Sequence, residues 1–170
     1  MTDTMTVLFV NHSGHALAAV TRNADESEIS AQDLARDGLL VRFFPGNQRF
    51  EVPPAELAVV NADLDTALLL QPRAFSIDDG QPVQTPTAVV SNVTLTATNV
   101  TVALAAAVTE ETKVWVQVDG GNLAEPRVAK GSIAAGASST VLQIVTLDPG
   151  TYFILTLVAD RTPDVRSPTI

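Results

Sequence analysis

Leu147-Asp148-Pro149-Gly150-Thr151-Tyr152 stands between Val141-Leu142-Gln143-Ile144-Val145 and Phe153-Ile154-Leu155-Thr156-Leu157-Val158. Two apolar, β-branched runs around a Pro-Gly pair predict strand, tight turn, strand, because proline presets the turn and glycine supplies its conformational freedom. A tyrosine at such a corner pins the strand ends when its phenol bonds back to the upstream backbone. Asp148, Gly150 and Tyr152 are thus the expected fold corner, with 141–147 paired to 152–159 across it.

Working back from the corner, Val128 to Ile133 and Lys113 to Val118 read as strands, with Asp119-Gly120-Gly121-Asn122 as the turn after the latter. Further upstream, Val93, Leu95 and Ala97 occupy odd positions, whereas Val100, Val102, Leu104 and Ala106 occupy even ones. A strand alternates with period two, so the phase flip requires a turn or bulge at Thr98-Asn99. The last strand carries Phe153, Leu155 and Leu157 on one face and Tyr152, Ile154 and Val158 on the other, so both faces need cover.

The stretch before residue 88 reads differently. Thr6 to Val10 and Ala16 to Thr21 around Asn11-His12-Ser13-Gly14-His15 predict a hairpin. Ser30, three residues before Asp33, and Gly38 bracket a short helix over 31–37. Strands are expected at 39–44, 49–52, 57–61, 67–70 and 73–77, with Pro45-Gly46-Asn47 as a turn and Pro53-Pro54 as either a helical turn or an edge. Turn residues and prolines cluster from Asp78 to Thr87. The division that follows is a small β-rich unit with one short helix at 1–80, a linker at 81–87, a sandwich at 88–160 and an extended tail at 161–170.

Several short, closely spaced strands ending in Leu-x-Pro-Gly-x-Tyr resemble the immunoglobulin-like or fibronectin-like modules of bacterial β-sandwich proteins, over the carboxy-terminal half only. The resemblance implies an antiparallel sandwich, in a chain that is mainly all-β, and is nearly silent on function because the architecture hosts many roles. The chain departs from antibody-like domains in having no cysteine pair and in the placement of Trp115. In Val114-Trp115-Val116-Gln117-Val118 the valines share one face and Trp115 shares the other with Lys113 and Gln117.

Composition bounds the chemistry. The chain has 170 residues, 46% of them hydrophobic, and no cysteine, which removes disulfides, thiolate catalysis and cysteine-ligated zinc. The formal net charge is −9. No basic footprint for phosphate exists, so nucleic acid is not an expected partner. Met1-Thr2-Asp3-Thr4-Met5 has no signal-peptide pattern and no apolar run is long enough to span a bilayer, so the expectation is a protein of the cytoplasm or of a macromolecular assembly, with no membrane partner.

Candidate sites are few. An outward Trp115 on a strand is shielded by the amino-terminal part of the same chain, packs under a loop, serves a contact, or stacks on a sugar; if the pleat is reversed it is core. With Lys113, Gln117, Phe153, Leu155 and Leu157 it makes an expected interface. His12 and His15 are weak metal candidates on a turn, with Asp25 or Glu28 as conceivable companions. Ser13 between them lacks the strained elbow and oxyanion site of a nucleophile. Asp63-x-Asp65, Asp78-Asp79-Gly80 and Asp119-Gly120-Gly121-Asn122 do not match a calcium loop and read as ordinary turns. Asn11, Asn92 and Asn99 lie in glycosylation triplets that matter only in a secretory lumen.

The expected role is non-enzymatic and without a cofactor: a structural or adaptor subunit that binds itself or another protein, as a homo-oligomer or as a component of a repetitive assembly of phage-tail type. The alternatives are a module that binds carbohydrate or another small ligand, and an accessory domain of an enzyme complex.

Overall fold

The computed structural model describes residues 4–23, 27–36, 38–43 and 48–170. Two compact units divide the chain, Met1–Val41 with Glu51–Thr85, and Arg42–Phe50 with Pro86–Ile170.

Up to residue 85 the chain forms β1 (Thr4–Val10), β2 (Ala16–Arg22), α1 (Ala31–Ala35), β3 (Leu39–Phe43), β4 (Gln48–Val52), β5 (Leu57–Asp63), α2 (Thr66–Leu70), β6 (Phe75–Asp78) and β7 (Gln81–Gln84). β1 is the centre of a three-stranded antiparallel sheet, between β2 and β5. Met5, Val7, Ala16 and Leu68 form the buried core of this unit, and the Thr6 hydroxyl is satisfied on β5 by Asn61 Oδ1 at 3.0 Å. The expected hairpin is therefore present. β3 and β4 pair in a separate two-stranded sheet, with the Phe43 and Phe50 rings edge to face at 6.0 Å. The expected Pro45-Gly46-Asn47 turn lies outside the described residues.

The capping box at α1 forms as its spacing predicts: Ser30 Oγ accepts from the Asp33 amide and the Asp33 carboxylate accepts from the Ser30 amide and hydroxyl. Those bonds hold the Asp33 carboxyl below its ordinary pKa. Two expectations change here. Residues 67–70 are not a strand but helix α2, because the Asp65 carboxylate takes the amides of Ala67 and Leu68 and so starts a helical turn that buries Leu68. The unit thus has two short helices rather than one. Strand 73–77 begins only at Phe75, since Pro72–Ala74 makes a 3-10 turn, as does Pro54–Glu56 after Pro53.

The expected linker is also corrected. Asp79 and Gly80 both have positive φ, 45° and 76°, the backbone of a two-residue type I′ hairpin turn, and β6 and β7 pair antiparallel across it. Residues 81–84 are thus strand β7, and the break between the units falls after Thr85.

The second unit continues with β8 (Asn92–Leu95), β9 (Asn99–Ala103), β10 (Thr112–Gly120), β11 (Arg127–Ile133), β12 (Ser139–Gln143), β13 (Tyr152–Val158) and β14 (Asp164–Arg166). Two antiparallel sheets result, of order β12-β9-β8 and β11-β10-β13-β14. Their inner faces share one core: Val93, Leu95, Val100, Val102 and Leu142 from the first, and Val114, Val116, Val118, Ile133, Ile154 and Val158 from the second. The phase flip is a turn, in which Thr96 Oγ1 accepts from the Asn99 amide at 3.0 Å and returns the even-numbered valines to the side of the odd-numbered ones. Gly131 lies so near Leu142 that a Cβ there would come within 2.6 Å of the leucine Cδ, which lets β11 approach β12 at the sandwich edge.

At the corner, the Tyr152 hydroxyl donates to the Asp148 carbonyl at 2.7 Å and the side chain is buried. What the corner joins differs from expectation. β12 pairs with β9 and β13 with β10, so 141–147 and 152–159 belong to different sheets and Pro149-Gly150 carries the chain across the core. The core between the sheets sets the choice, since Leu142 of β12 and Ile154 and Val158 of β13 are buried together in it from opposite layers. The tail is not free either. β14 adds to β13, Gly150 and Ile170 exchange two backbone hydrogen bonds at 3.0 Å, and the Tyr152 amide donates to the Pro168 carbonyl. Arg166 reaches from β14 to Asn92 Oδ1 and the Ser91 carbonyl, joining the two sheets along one edge.

Three variants test these contacts. Tyr152→Phe, which removes one buried hydrogen bond, lowers unfolding free energy by about 1 kcal/mol in urea titration, whereas Gly121→Ala costs about 2–4 kcal/mol, since its Cβ would meet the Tyr152 ring at a residue of φ +56°. Asp33, its pKa depressed in the folded state, contributes stability above its unfolded pKa that is lost as pH falls through the lower folded value. Ser30→Ala should move the Asp33 carboxyl midpoint, followed by NMR, upward toward the usual carboxylate range.

Candidate functional site

The sandwich has two outer faces, and they differ in kind. On the four-stranded sheet the valines of β10 turn inward, so Trp115 and Gln117 point outward. Yet Trp115, Gln117, Leu155 and Leu157 are all 0% exposed. Gln117 Nε2 donates to Asp119 Oδ2 at 2.8 Å. Of the six residues expected to form an interface, Lys113 is exposed and Phe153 half-buried; the other four are sealed within the chain and do not form an open anchor surface. The pleat assignment was readable from the valines. That the outward tryptophan is covered, one of the alternatives its position left open, is decided by its burial and not by its phase.

The histidines and acidic turns have structural duties. His15 is buried at the start of β2, its Nδ1 3.2 Å from the buried Ser13 hydroxyl, and it bridges to Ser76 of β6. Gly14, at φ +78°, lets the backbone pass close against Ile77. A serine closed off in this way offers no approach to a substrate. Glu28 is exposed, Asp25 lies outside the described residues, and among the described residues no three His, Asp or Glu side chains converge as a metal site. Asp65 caps α2, Asp79 makes the type I′ turn and Asp119 receives Gln117.

The other outer face carries a signal that the residue-by-residue reading missed. Residues 80–109 and 131–147 contain no charged side chain, in a chain with 29 of them. The two stretches lie far apart in sequence, but β12, β9 and β8 are drawn from them alone and form one sheet. Its outer face is arranged in cross-strand rows: Ser139, Ala103 and Asn92; Val141, Thr101 and Thr94; Gln143 and Asn99. Asn92, Thr94, Ser139, Val141 and Gln143 are exposed, while Asn99, Thr101 and Ala103 on the central strand are half-buried.

The loops around this sheet are neutral in part, the β9–β10 loop ending in Glu110 and Glu111 and the β12–β13 loop containing Asp148. Ala105-Ala106-Ala107, Ala134-Ala135-Gly136, Val89 and Val145 are exposed, the two valines at 64% and 63%. Among the described residues every aromatic side chain is buried or half-buried, so this face offers hydroxyl, amide and aliphatic groups rather than a ring for stacking. The face thus presents neutral hydrogen-bonding groups beside apolar area.

No helix among the described residues is long and apolar enough to cross a membrane. Comparison with protein-family models, with curated proteins and with solved structures returns no match.

The sole tryptophan makes its burial directly measurable. Trp115 should emit as a buried indole and resist quenching by iodide in the folded chain, and Trp115→Ala should cost about 3–5 kcal/mol in chemical unfolding. Free quenching with unchanged stability would mean that the tryptophan is a surface group.

Proposed function

We propose that this protein is a non-enzymatic structural or adaptor subunit that works through protein contacts, within a repetitive assembly. One observation carries the reading: a neutral, exposed sheet face on a strongly acidic chain. Charged residues keep most protein surfaces solvated and apart, and interface cores are depleted of them. A three-stranded face with none is a surface built for contact.

The immunoglobulin-like or fibronectin-like reading of the second unit supports the same role. Counting from β8, the first, second and fifth strands make one sheet and the third, sixth and seventh lie together in the other, as in immunoglobulin sandwiches, with the fourth beside the third. The tyrosine stands at the start of the sixth strand, where such sandwiches carry their corner. Modules of this architecture commonly serve as rigid contact-bearing blocks, although the architecture alone assigns no partner. A carbohydrate-binding role would call for an exposed aromatic platform, and the face offers none.

Hydroxyl-radical footprinting in extracts of the cells that make the protein, compared with the purified chain at high dilution, tests the reading. Protection concentrated at Val89, Val141 and Val145 is expected. Equal labelling of those side chains in both samples would overturn a contact-forming role for this face.

A further inference from the structure

We infer that the partner of the β12-β9-β8 face is a second copy of this chain, paired face to face about a two-fold axis. The inference rests on reading the protein as a contact-forming subunit and goes further by naming the occupant. Charge decides first. Each copy carries a net −9, and two such copies repel wherever their carboxylates approach within a Debye length, about 8–10 Å in ordinary buffer. All the charged residues lie in other elements, so this sheet is where approach is least opposed. A basic partner would find no carboxylate among the residues of the face, and the cation that reaches it, Arg166 against Asn92, is already paired with Asp164 at 2.9 Å.

Hydrogen-bonding capacity points the same way. A two-fold interface must complement itself, because the same patch is used on both sides. Thr94, Thr101, Asn92, Asn99 and Gln143 each donate and accept, so a neutral face made of them pairs with its own copy, whereas a face dominated by donors or by acceptors would not. Val141 adds exposed apolar area within the same rows.

Asn92, Thr94, Ser139, Val141 and Gln143 are exposed and Asn99, Thr101 and Ala103 half-buried, and these residues form the centre of the proposed contact.

Sedimentation velocity of the full chain, from low micromolar to submillimolar concentration, should show a monomer passing into a dimer. Thr101 is the middle residue of the central strand and lies nearest the proposed axis. Thr101→Lys and Val141→Lys should each weaken association about tenfold or more, and mixing Thr101→Lys with Thr101→Glu should restore it, which a merely misfolded variant could not do. Val83→Lys, outside the face, should leave association unchanged. A monomer at every concentration would overturn the second copy as occupant, while protection of the face in extracts would still support a contact with a different protein. Dimerisation unaffected by either lysine would overturn the face itself.

Discussion

The hydrogen bond from the Tyr152 phenol to the Asp148 carbonyl is the constraint on which the second unit turns. It sits where the chain leaves one sheet for the other, so it ties the crossover to the first residue of β13. Its surroundings are matched to it. Gly121 leaves room for the ring, its amide donates to the Thr151 carbonyl, and residues 168–170 close over the far side through Pro168 and Ile170. A crossover held at one point lets β13 sit beside β10 with both of its faces covered, which an unpinned loop would not guarantee. The valine-rich core and the buried tryptophan on opposite sides of β10 both depend on that placement.

Much of this architecture was legible in the residues. Alternation located β8, β9 and β10, a continuous apolar run beyond the Pro-Gly turn located β13, the odd-to-even flip located the turn between β8 and β9, and Ser30 with Asp33 announced α1. The failures share a cause. Residues 67–70 are apolar and short, and only the carboxylate of Asp65, sitting just ahead of them, tells helix from strand. The Pro-Gly corner looked like a hairpin because local chemistry specifies a turn, while pairing partners are chosen by a core assembled from distant segments. Asp79-Gly80 is a hairpin signal that the surrounding prolines obscured.

The candidate surface was legible in another currency. No single residue in it attracts notice, and a search for catalytic types passes over threonine, asparagine and valine. The informative quantity is where the 29 charges are missing, and that becomes a surface only when the fold lays two uncharged stretches side by side. Trp115 teaches the converse. A conspicuous residue with the right outward phase turned out to be sealed in, because phase determines direction and not exposure.

The same uneven distribution of charge has a cost before the fold is complete. The sandwich pairs strands distant in sequence, such as β9 with β12 and β10 with β13, and non-local pairing of this kind forms slowly. During that interval the chain exposes thirty successive residues, 80–109, without one ionised group to act as a gatekeeper. Folding yield in the second unit is therefore set by a race between closing the core and off-pathway clumping of these segments, so slow dilution and low protein concentration favour recovery of the native chain.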